Sequence, residues 1–297
     1  MLNYLDRFLS AQENVYLLAL DEIRTGRKRS HWIWFIFPQL QGLGRSDMAI
    51  WYGLPDLEAA EEYAAHPVLG MRLREITRAL LHLEETDIHC ILPYPDDLKV
   101  CSCMTLFALA MPNEPIFRQV LDKYYGGKPC EKTLALLGFP PNTPLLERIV
   151  KPAFTVIGME GSTDDGPGFI QALWEKANCR FSEVASLAGT TPDGTLCGVW
   201  GAMTDPSRSF LPWTDGFSRG LYLAGVEARE DAAPPAGWTK WVIPGFEYLR
   251  VASTTPDIFS RTLDAISASG RMLAGAVHDF TDPATGKMYM LFPIQKL

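Results

Sequence analysis

The sequence predicts two domains of different class, an all-α domain followed by an α+β domain with a duplicated β-α-β-β order. Three observations predict this arrangement. The chain has 297 residues, a length at which proteins usually fold into more than one domain, each with its own hydrophobic core. Apolar residues recur at helical spacing in the first half, whereas strand-like and helical segments alternate in the second. A segment rich in proline separates the two patterns. We therefore expect domains at 1–140 and 153–297, joined by a stiff linker at 141–152.

Composition narrows the classes of function. The net charge is −8, shared equally between the two halves, and this argues against a nucleic-acid-binding module. No apolar run approaches the length of a membrane span, and the N-terminus does not have the pattern of a signal peptide. The six cysteines lack zinc-ligand spacing. We expect a cytoplasmic protein with reduced thiols, no metal and no cofactor.

About eight helices are predicted in the first half. Residues 3–25 have helical periodicity with a break near Ala11, and a short buried helix follows from His31 to Phe37. Residues 66–85 form the longest regular pattern, and the stretch after Pro95 is apolar nearly all round, which is typical of a central helix. The segment LLERIV, within the linker, is expected to form a short helical turn.

The most unusual stretch of the first half is RKRSHWIWFIFPQLQGLGRS, at residues 27–46. Cations, an imidazole and large aromatic rings suit a flat or anionic ligand. The same aromatics also serve a helical core, and both interpretations stay open. His31 and Lys28 are the catalytic candidates here. The ligand-binding candidates of this half are Trp32, Trp34, Gln39, Lys99 and Ser102.

Four motifs in this half carry a family resemblance. They are GRKRSHWIWFIFPQLQGLGRS, AAHPVLGMRLRE, PDDLKVCSCMTLFALA and VLDKYYGGKPCEKTLALL. In this order they resemble the bacterial family called "domain of unknown function 1810". The resemblance covers about residues 3–138 and implies an all-helical cytoplasmic domain, but no activity. Where the family usually reads LRSSMTLF, this chain has Val100-Cys101-Ser102-Cys103 before MTLF. The first of the two serines is therefore a cysteine here or is displaced, which puts a role for a hydroxyl pair in doubt.

Two successive sets of strand, helix, strand and strand are predicted in the second half. AFTVIGMEGST, LCGVWGAMT and GLYLAGVEARE form the strands of the first set, and a helix of about 20 residues starts at Pro167. WTKWVIPGFEYLRVAST is extended and broken at Pro244-Gly245. A helix after Pro256 and two final strands complete the second set. Two such units side by side leave a groove between their helices.

The motifs FTVIGMEG, YLAGVEA, WVIPGFEYLRV and FPIQ, in this order, resemble the GyrI-like effector-binding domain over about residues 150–297. That family implies an aromatic groove with a buried carboxylate, suited to cationic or aromatic ligands. Carried over onto this chain, the acids are Glu227, in Gly225-Val226-Glu227, and Asp279, in HDFTD. We expect the groove aromatics to share a face with these acids; they are Trp200, Tyr222, Trp241 and Tyr289.

Three functions follow as hypotheses. The first is a cytoplasmic sensor or sequestering protein for an aromatic or cationic small molecule bound in the second half. The second is an enzyme. It acts either on a nucleotide-like or ADP-ribose-like substrate through His31 and Lys28, or hydrolyses a reactive small molecule through Glu227. The third gives the helical half only the role of an interaction platform. Neither nucleic acid nor membrane is expected as a partner.

Overall fold

The computed structural model describes residues 4–297 and divides the chain into two compact units. The N-terminal unit is Met1–Glu147 and the C-terminal unit is Arg148–Leu297. Helices make up the first unit, and an eight-stranded antiparallel sheet with helices makes up the second.

Ten helices form the described part of the N-terminal unit, two more than expected from the sequence. They are α1 (Asp6–Gln12), α2 (Tyr16–Arg24), α3 (Ile33–Ile36), α4 (Asp47–Trp51), α5 (Leu57–Ala65), α6 (Leu69–His82), α7 (Ile88–Ile91), α8 (Asp96–Ala110), α9 (Pro115–Tyr125) and α10 (Glu131–Leu136).

Helix α8 is the centre of this unit. Most of its side chains are buried on all sides, and it packs against α5 and α9. Its sequence is apolar nearly all round, as a helix enclosed by other helices requires. At 15 residues it is also the longest helix of the described unit, one residue longer than α6.

The C-terminal unit contains eight strands and three helices. They are β1 (Glu147–Lys151), β2 (Phe154–Ser162), α11 (Phe169–Cys179), β3 (Val199–Thr204), α12 (Thr214–Phe217), β4 (Leu221–Ala228), β5 (Thr239–Ile243), β6 (Phe246–Ala252), α13 (Ile258–Ala268), β7 (His278–Thr281) and β8 (Met288–Lys296). The strand order in the sheet is β1-β6-β8-β7-β3-β4-β2-β5. The two sets predicted from the sequence therefore meet twice, where β7 pairs with β3 and where β5 pairs with β2.

The sheet has two faces, and the pairing of residues between neighbouring strands shows which side chains lie on each face. The helix face carries α11, which packs on β2 and β4, and α13, whose Phe259 ring contacts Phe292. The inner face is on the opposite side of the strands and holds a second apolar core with Trp200, Trp241 and Tyr248. Because side chains alternate along a strand, every residue of β3, β4 and β7 is assigned to one face or the other.

Two short bends curl the sheet around its inner face. Pro152 and Ala153 join β1 to β2, and Pro244 and Gly245 join β5 to β6, although these strands lie near opposite ends of the strand order. Only two residues are available for each connection, so the two ends of the sheet must approach each other. A Cβ at Gly245 would lie 3.0 Å from the Ala153 nitrogen, which explains a glycine at this close approach.

Two predicted elements are wrong. The expected helical turn in LLERIV is strand β1 from Glu147 onward, because pairing with β6 and the Arg148–Glu247 ion pair at 2.5 Å override its local preference. The expected helix of about 20 residues ends at Cys179 and is followed by two short 3₁₀ turns. Glu183 fixes the first turn by accepting hydrogen bonds from Arg180 and Trp238.

Candidate functional site

Asp279 lies near the centre of the sheet, on the helix face of β7. Its partner across the β7–β3 pair is Gly201, and Tyr222 lies one strand further, on β4. The Tyr222 hydroxyl donates a hydrogen bond to Asp279 Oδ2 at 3.1 Å. It also accepts one from Trp174 Nε1 of α11 at 3.1 Å. These three side chains form a hydrogen-bonded row from the helix to the centre of the sheet, which we call the Asp279 row.

Gly201 makes this row possible. Tyr222 must extend across β3 to reach Asp279, and a Cβ at position 201 would lie 1.9 Å from the Tyr222 hydroxyl. No side chain larger than hydrogen fits there without moving the tyrosine. A glycine inside a strand often marks such a close approach, so this residue offered a signal in the sequence that our prediction did not use.

In the described part of the chain, the Asp279 carboxylate is held by a hydrogen bond and not by an ion pair. Burial raises the pKa of Asp279 to about 6, and the hydrogen bond from Tyr222 opposes that rise only in part. Across residues 4–297, no Lys, Arg or His side chain forms an ion pair with it. Burial and the neighbouring carboxylate raise the pKa of Tyr222 as well, so its hydroxyl stays a donor. At neutral pH the row therefore holds a negative charge on a half-buried side chain.

A mostly apolar pocket of about 190 Å³ lies beside this row, between α11 and the helix face of the sheet. Trp174 lines the pocket with one part of its indole and donates to Tyr222 with its Nε1 atom. Val199, two residues before Gly201 on the same face of β3, is also in the lining. The complete lining is Trp174, Ala177, Asn178, Phe181, Val184, Leu196, Val199, Gly225, Val226 and Trp238. Asp279 is adjacent to this pocket through Trp174 and is not part of its wall.

Glu227, the other predicted acid, lies on the inner face and is fully paired. Lys151 Nζ is 3.0 Å from its Oε1 atom, and Trp200 Nε1 donates to its Oε2 atom at 3.0 Å. Of the two acids that the GyrI-like resemblance implies, Glu227 is therefore paired with a cation and Asp279, within residues 4–297, is not. Sequence patterns do not indicate Lys151 as a partner of Glu227, because the contact depends on the bend after β1.

The four predicted groove aromatics do not share one face, so that expectation is wrong. Tyr222 lies on the helix face with Asp279, whereas Trp200, Trp241 and Tyr289 lie on the inner face with Glu227. Trp241 Nε1 donates to Glu160 at 2.8 Å, and the Arg250 guanidinium is 4.6 Å from the Tyr289 ring centre. The strands had been identified without their register, and one residue of register moves a side chain to the other face.

Two lysines of the N-terminal unit converge on one carboxylate. Lys28 Nζ is 2.7 Å from Asp96 Oδ2, and Lys99 Nζ is 2.6 Å from Oδ1. Each ammonium also lies over an indole, Lys28 at 5.0 Å from the Trp32 ring centre and Lys99 at 4.5 Å from that of Trp34. Burial raises the pKa of Asp96, but the two ammonium groups outweigh it and hold the pKa below its ordinary value. Asp96 thus occupies the position that an external anion would take between these lysines.

Glu22 organises the other side of the same stretch. Its carboxylate accepts hydrogen bonds from the Arg29 and Ser30 amides, the Ser30 hydroxyl and Trp32 Nε1, at 2.5 to 3.1 Å. Burial alone would raise the pKa of Glu22, yet these donors lower it to about 2. Trp32 is completely buried, so it belongs to the core and is not exposed for stacking on a ligand.

The other candidates of this unit differ in their exposure to solvent. The Ser102 hydroxyl is buried and bonds the Thr133 hydroxyl of α10 at 2.8 Å. His31 is exposed, while Trp34 and Gln39 are half-buried. A ligand role for Lys28, His31, Trp34, Gln39 or Lys99 stays a prediction, as does a nucleotide-like substrate.

Comparison with known proteins agrees with the first of the two resemblances. Residues 3–137 match the family described as "Protein of unknown function (DUF1810)". The crystal structure of the conserved hypothetical protein Rv1873 from Mycobacterium tuberculosis is 48% identical over 46% of this chain and 97% of that chain, with a TM-score of 0.45. The chain belongs to the DUF1810 family through its N-terminal unit. None of the curated proteins matches the chain.

Two other solved structures each match about half of this chain. The EcmrR C-terminal domain is 13% identical over 52% of this chain and 99% of that chain, with a TM-score of 0.35. SAV2435, solved bound to tetraphenylphosphonium, is 12% identical over 50% of this chain and 93% of that chain, with a TM-score of 0.33. These TM-scores lie below 0.5, so the GyrI-like character of the unit stays a prediction.

Two further features bear on partners. Within residues 4–297, no helix has the length and apolar character to cross a membrane. The same residues contain no group of three or more His, Cys, Asp or Glu side chains placed to hold a metal ion.

In the DUF1810 unit the residues missed by sequence analysis are Glu22 and Asp96, whose roles depend on contacts between separate helices.

Proposed function

We propose that the C-terminal unit is a GyrI-like small-molecule-binding domain whose ligand is a small apolar molecule with one positive charge. The observation that carries this proposal is the half-buried Asp279 carboxylate, which has Tyr222 as its hydrogen-bond donor but is paired with no cation among residues 4–297. A buried carboxylate without a cation destabilises the protein. A bound cation would offset that cost, so binding energy is available at this residue.

The surroundings of Asp279 support an apolar ligand. The adjacent pocket of about 190 Å³ has aromatic walls at Trp174, Phe181 and Trp238. Rings of this kind bind an apolar group by burial, and an indole attracts a cation through its face. Trp174 connects the pocket to the Asp279 row. A ligand with its apolar part in the pocket and its positive charge beside Trp174 would contact both the apolar walls and the Asp279 row.

The probe that tests this is phenyltrimethylammonium, with tert-butylbenzene as its neutral isostere. Binding is followed by tryptophan fluorescence, since two tryptophans line the pocket. We expect the cation to bind more tightly than the isostere. Asp279→Asn should weaken the cation at least tenfold, about 1.4 kcal/mol, and leave the isostere unchanged.

Glu227→Gln is the matched control, because it removes the carboxylate of the other predicted acid, which lies on the opposite face of the sheet. It should change the affinity of neither probe. Cation binding should also weaken as the pH falls below about 6, where Asp279 takes up a proton. Equal affinity of the cation and the isostere, or an unchanged cation affinity in Asp279→Asn, would refute the proposal.

A further inference from the structure

Lys151 occupies a box of groups that would recognise a free ammonium ion. The lysine ends β1, directly before the bend at Pro152, and its Nζ atom lies 3.0 Å from Glu227 Oε1. The same atom is 4.5 Å from the Phe154 ring centre and 5.4 Å from that of Trp200. Both distances fall within the roughly 6 Å range of cation–π attraction. One carboxylate and two aromatic rings therefore surround this single ammonium group.

The box is held in place without the lysine. Trp200 Nε1 donates to Glu227 Oε2 at 3.0 Å, which fixes the carboxylate relative to the indole. The Phe154 and Trp200 rings pack against each other with centroids 4.5 Å apart, and both are buried in the inner-face core. Glu227, Trp200 and Phe154 thus keep their arrangement through contacts among themselves.

The box is also accessible from solvent. The Lys151 side chain is 25% exposed and that of Glu227 is 15% exposed. Pro152 and Ala153, which form the adjacent bend, are exposed as well. An alkylammonium ion from solution therefore has a path to the position of the lysine ammonium.

We propose that Glu227, Trp200 and Phe154 form a second cation-binding site in which Lys151 is the resident ligand and for which alkylammonium ions compete. A tethered group of this kind has an effective concentration on the order of millimolar. The native protein therefore binds free amines weakly at this site. Removal of the lysine side chain exposes a site for a primary alkylammonium on the inner face, separate from the Asp279 row on the helix face.

The test is a titration of the full chain with n-butylammonium, and with 1-butanol as the uncharged control, followed by tryptophan fluorescence and by the midpoint of thermal unfolding. Lys151→Ala should bind n-butylammonium at least tenfold more tightly than the native chain and should not respond to 1-butanol. Lys151→Arg, which keeps a cation in the box, should bind as weakly as the native chain. The double variant Lys151→Ala with Glu227→Gln should lose the gain.

An equal response of the native chain, Lys151→Ala and the double variant would overturn the proposal. If Lys151→Ala does not fold by itself, the recovery of folded protein is measured in n-butylammonium and in 1-butanol. Recovery in the amine alone supports the site, and recovery in both or in neither contradicts it. The gain in n-butylammonium binding from Lys151→Ala should persist in the Asp279→Asn background, so this site stands or falls separately from the proposed groove ligand.

Discussion

Tyr222 and Asp279 lie on strands separated by β3, and the tyrosine hydroxyl nevertheless donates to the carboxylate at 3.1 Å. The contact crosses the intervening strand above Gly201, the only residue type that leaves the space free. The row therefore links α11, β4 and β7, which come from both predicted β-α-β-β sets. The Asp279 carboxylate lies where β7 of the second set pairs with β3 of the first set. A ligand bound between the helices of the two sets would contact the sheet at this point.

Neutralising Asp279 should stabilise the C-terminal unit at neutral pH. Burial raises the pKa of Asp279 to about 6 from 3.8, so between these values the folded state binds more protons than the unfolded state. Stability associated with this group therefore falls as pH rises from 3.8 to 6 and stays low above that. Asp279→Asn keeps an acceptor for Tyr222 and should raise the free energy of unfolding at pH 7.5 by roughly 1–3 kcal/mol.

Hydrogen exchange read on peptides from residues 148–297 checks this without assuming that both units unfold together. The control is Asp264→Asn, an exposed position on α13 that should change nothing. A loss of protection in Asp279→Asn at pH 7.5 would contradict the expected stabilisation.

Filling the space above Gly201 should break the Asp279 row. Gly201→Ala places a Cβ 1.9 Å from the present position of the Tyr222 hydroxyl, so the tyrosine must move and its hydrogen bond to Asp279 is lost. We expect destabilisation of about 1–3 kcal/mol, typical of a strained core substitution. The second variant Gly201→Ala with Tyr222→Phe removes the clashing oxygen and should recover part of that loss. Urea unfolding measures both, and an additive result would show that the two positions do not interact.

Periodicity predicted the class of each half because it depends only on which residues are buried along one element. It placed α8 at the centre of the helical unit and placed the strands around Trp200, Tyr222 and Trp241. The same pattern did not predict which face of the sheet each strand residue lies on. Trp200 and Tyr222 belong to different strands, and their faces depend on the register in which β3 and β4 pair, which periodicity along one strand does not contain. Lys151 and Asp96 were missed for the same reason, because their partners are far away in sequence.

His278 should make the C-terminal unit acid-labile. The ring is completely buried, its Nδ1 atom accepts from the Met203 amide at 3.1 Å, and burial lowers the pKa to about 3 from 6.5. Between these values the unfolded state binds a proton that the folded state does not. Stability should therefore fall as pH decreases from 6.5 towards 3, by at most about 1.4 kcal/mol per pH unit.

Asp279 has the opposite dependence on pH over much of the same window, so the native chain should show a partly cancelled slope. His278→Gln offers an uncharged acceptor to Met203 and should remove the acid-induced loss, whereas Asp279→Asn should steepen it. Thermal unfolding of the three proteins at pH 4, 5, 6 and 7 provides the comparison. Parallel curves for the native chain and His278→Gln would count against a neutral buried imidazole.

Glu22 should be the most sensitive acidic residue of the DUF1810 unit. It is nearly buried, and hydrogen bonds from Arg29, Ser30 and Trp32 lower its pKa to about 2 from 4.5 against the effect of burial. The unfolded state therefore takes up a proton before the folded state as the pH falls. The stability that Glu22 provides is complete above about 4.5 and is lost between 4.5 and 2. At neutral pH it amounts to roughly 3 kcal/mol.

Glu22→Gln should remove most of that stability, because the amide nitrogen of glutamine points a donor at groups that are themselves donors. Glu13→Gln is the matched control, since Glu13 is exposed and lies in the turn between α1 and α2. Hydrogen exchange of the Arg29 and Ser30 amides measures the effect directly, as both donate to this carboxylate. Faster exchange at these two amides in Glu22→Gln, with protection in the C-terminal unit unchanged, is the expected result. Equal protection in Glu22→Gln and Glu13→Gln would mean that the 27–34 segment is held by its aromatic core and not by this carboxylate.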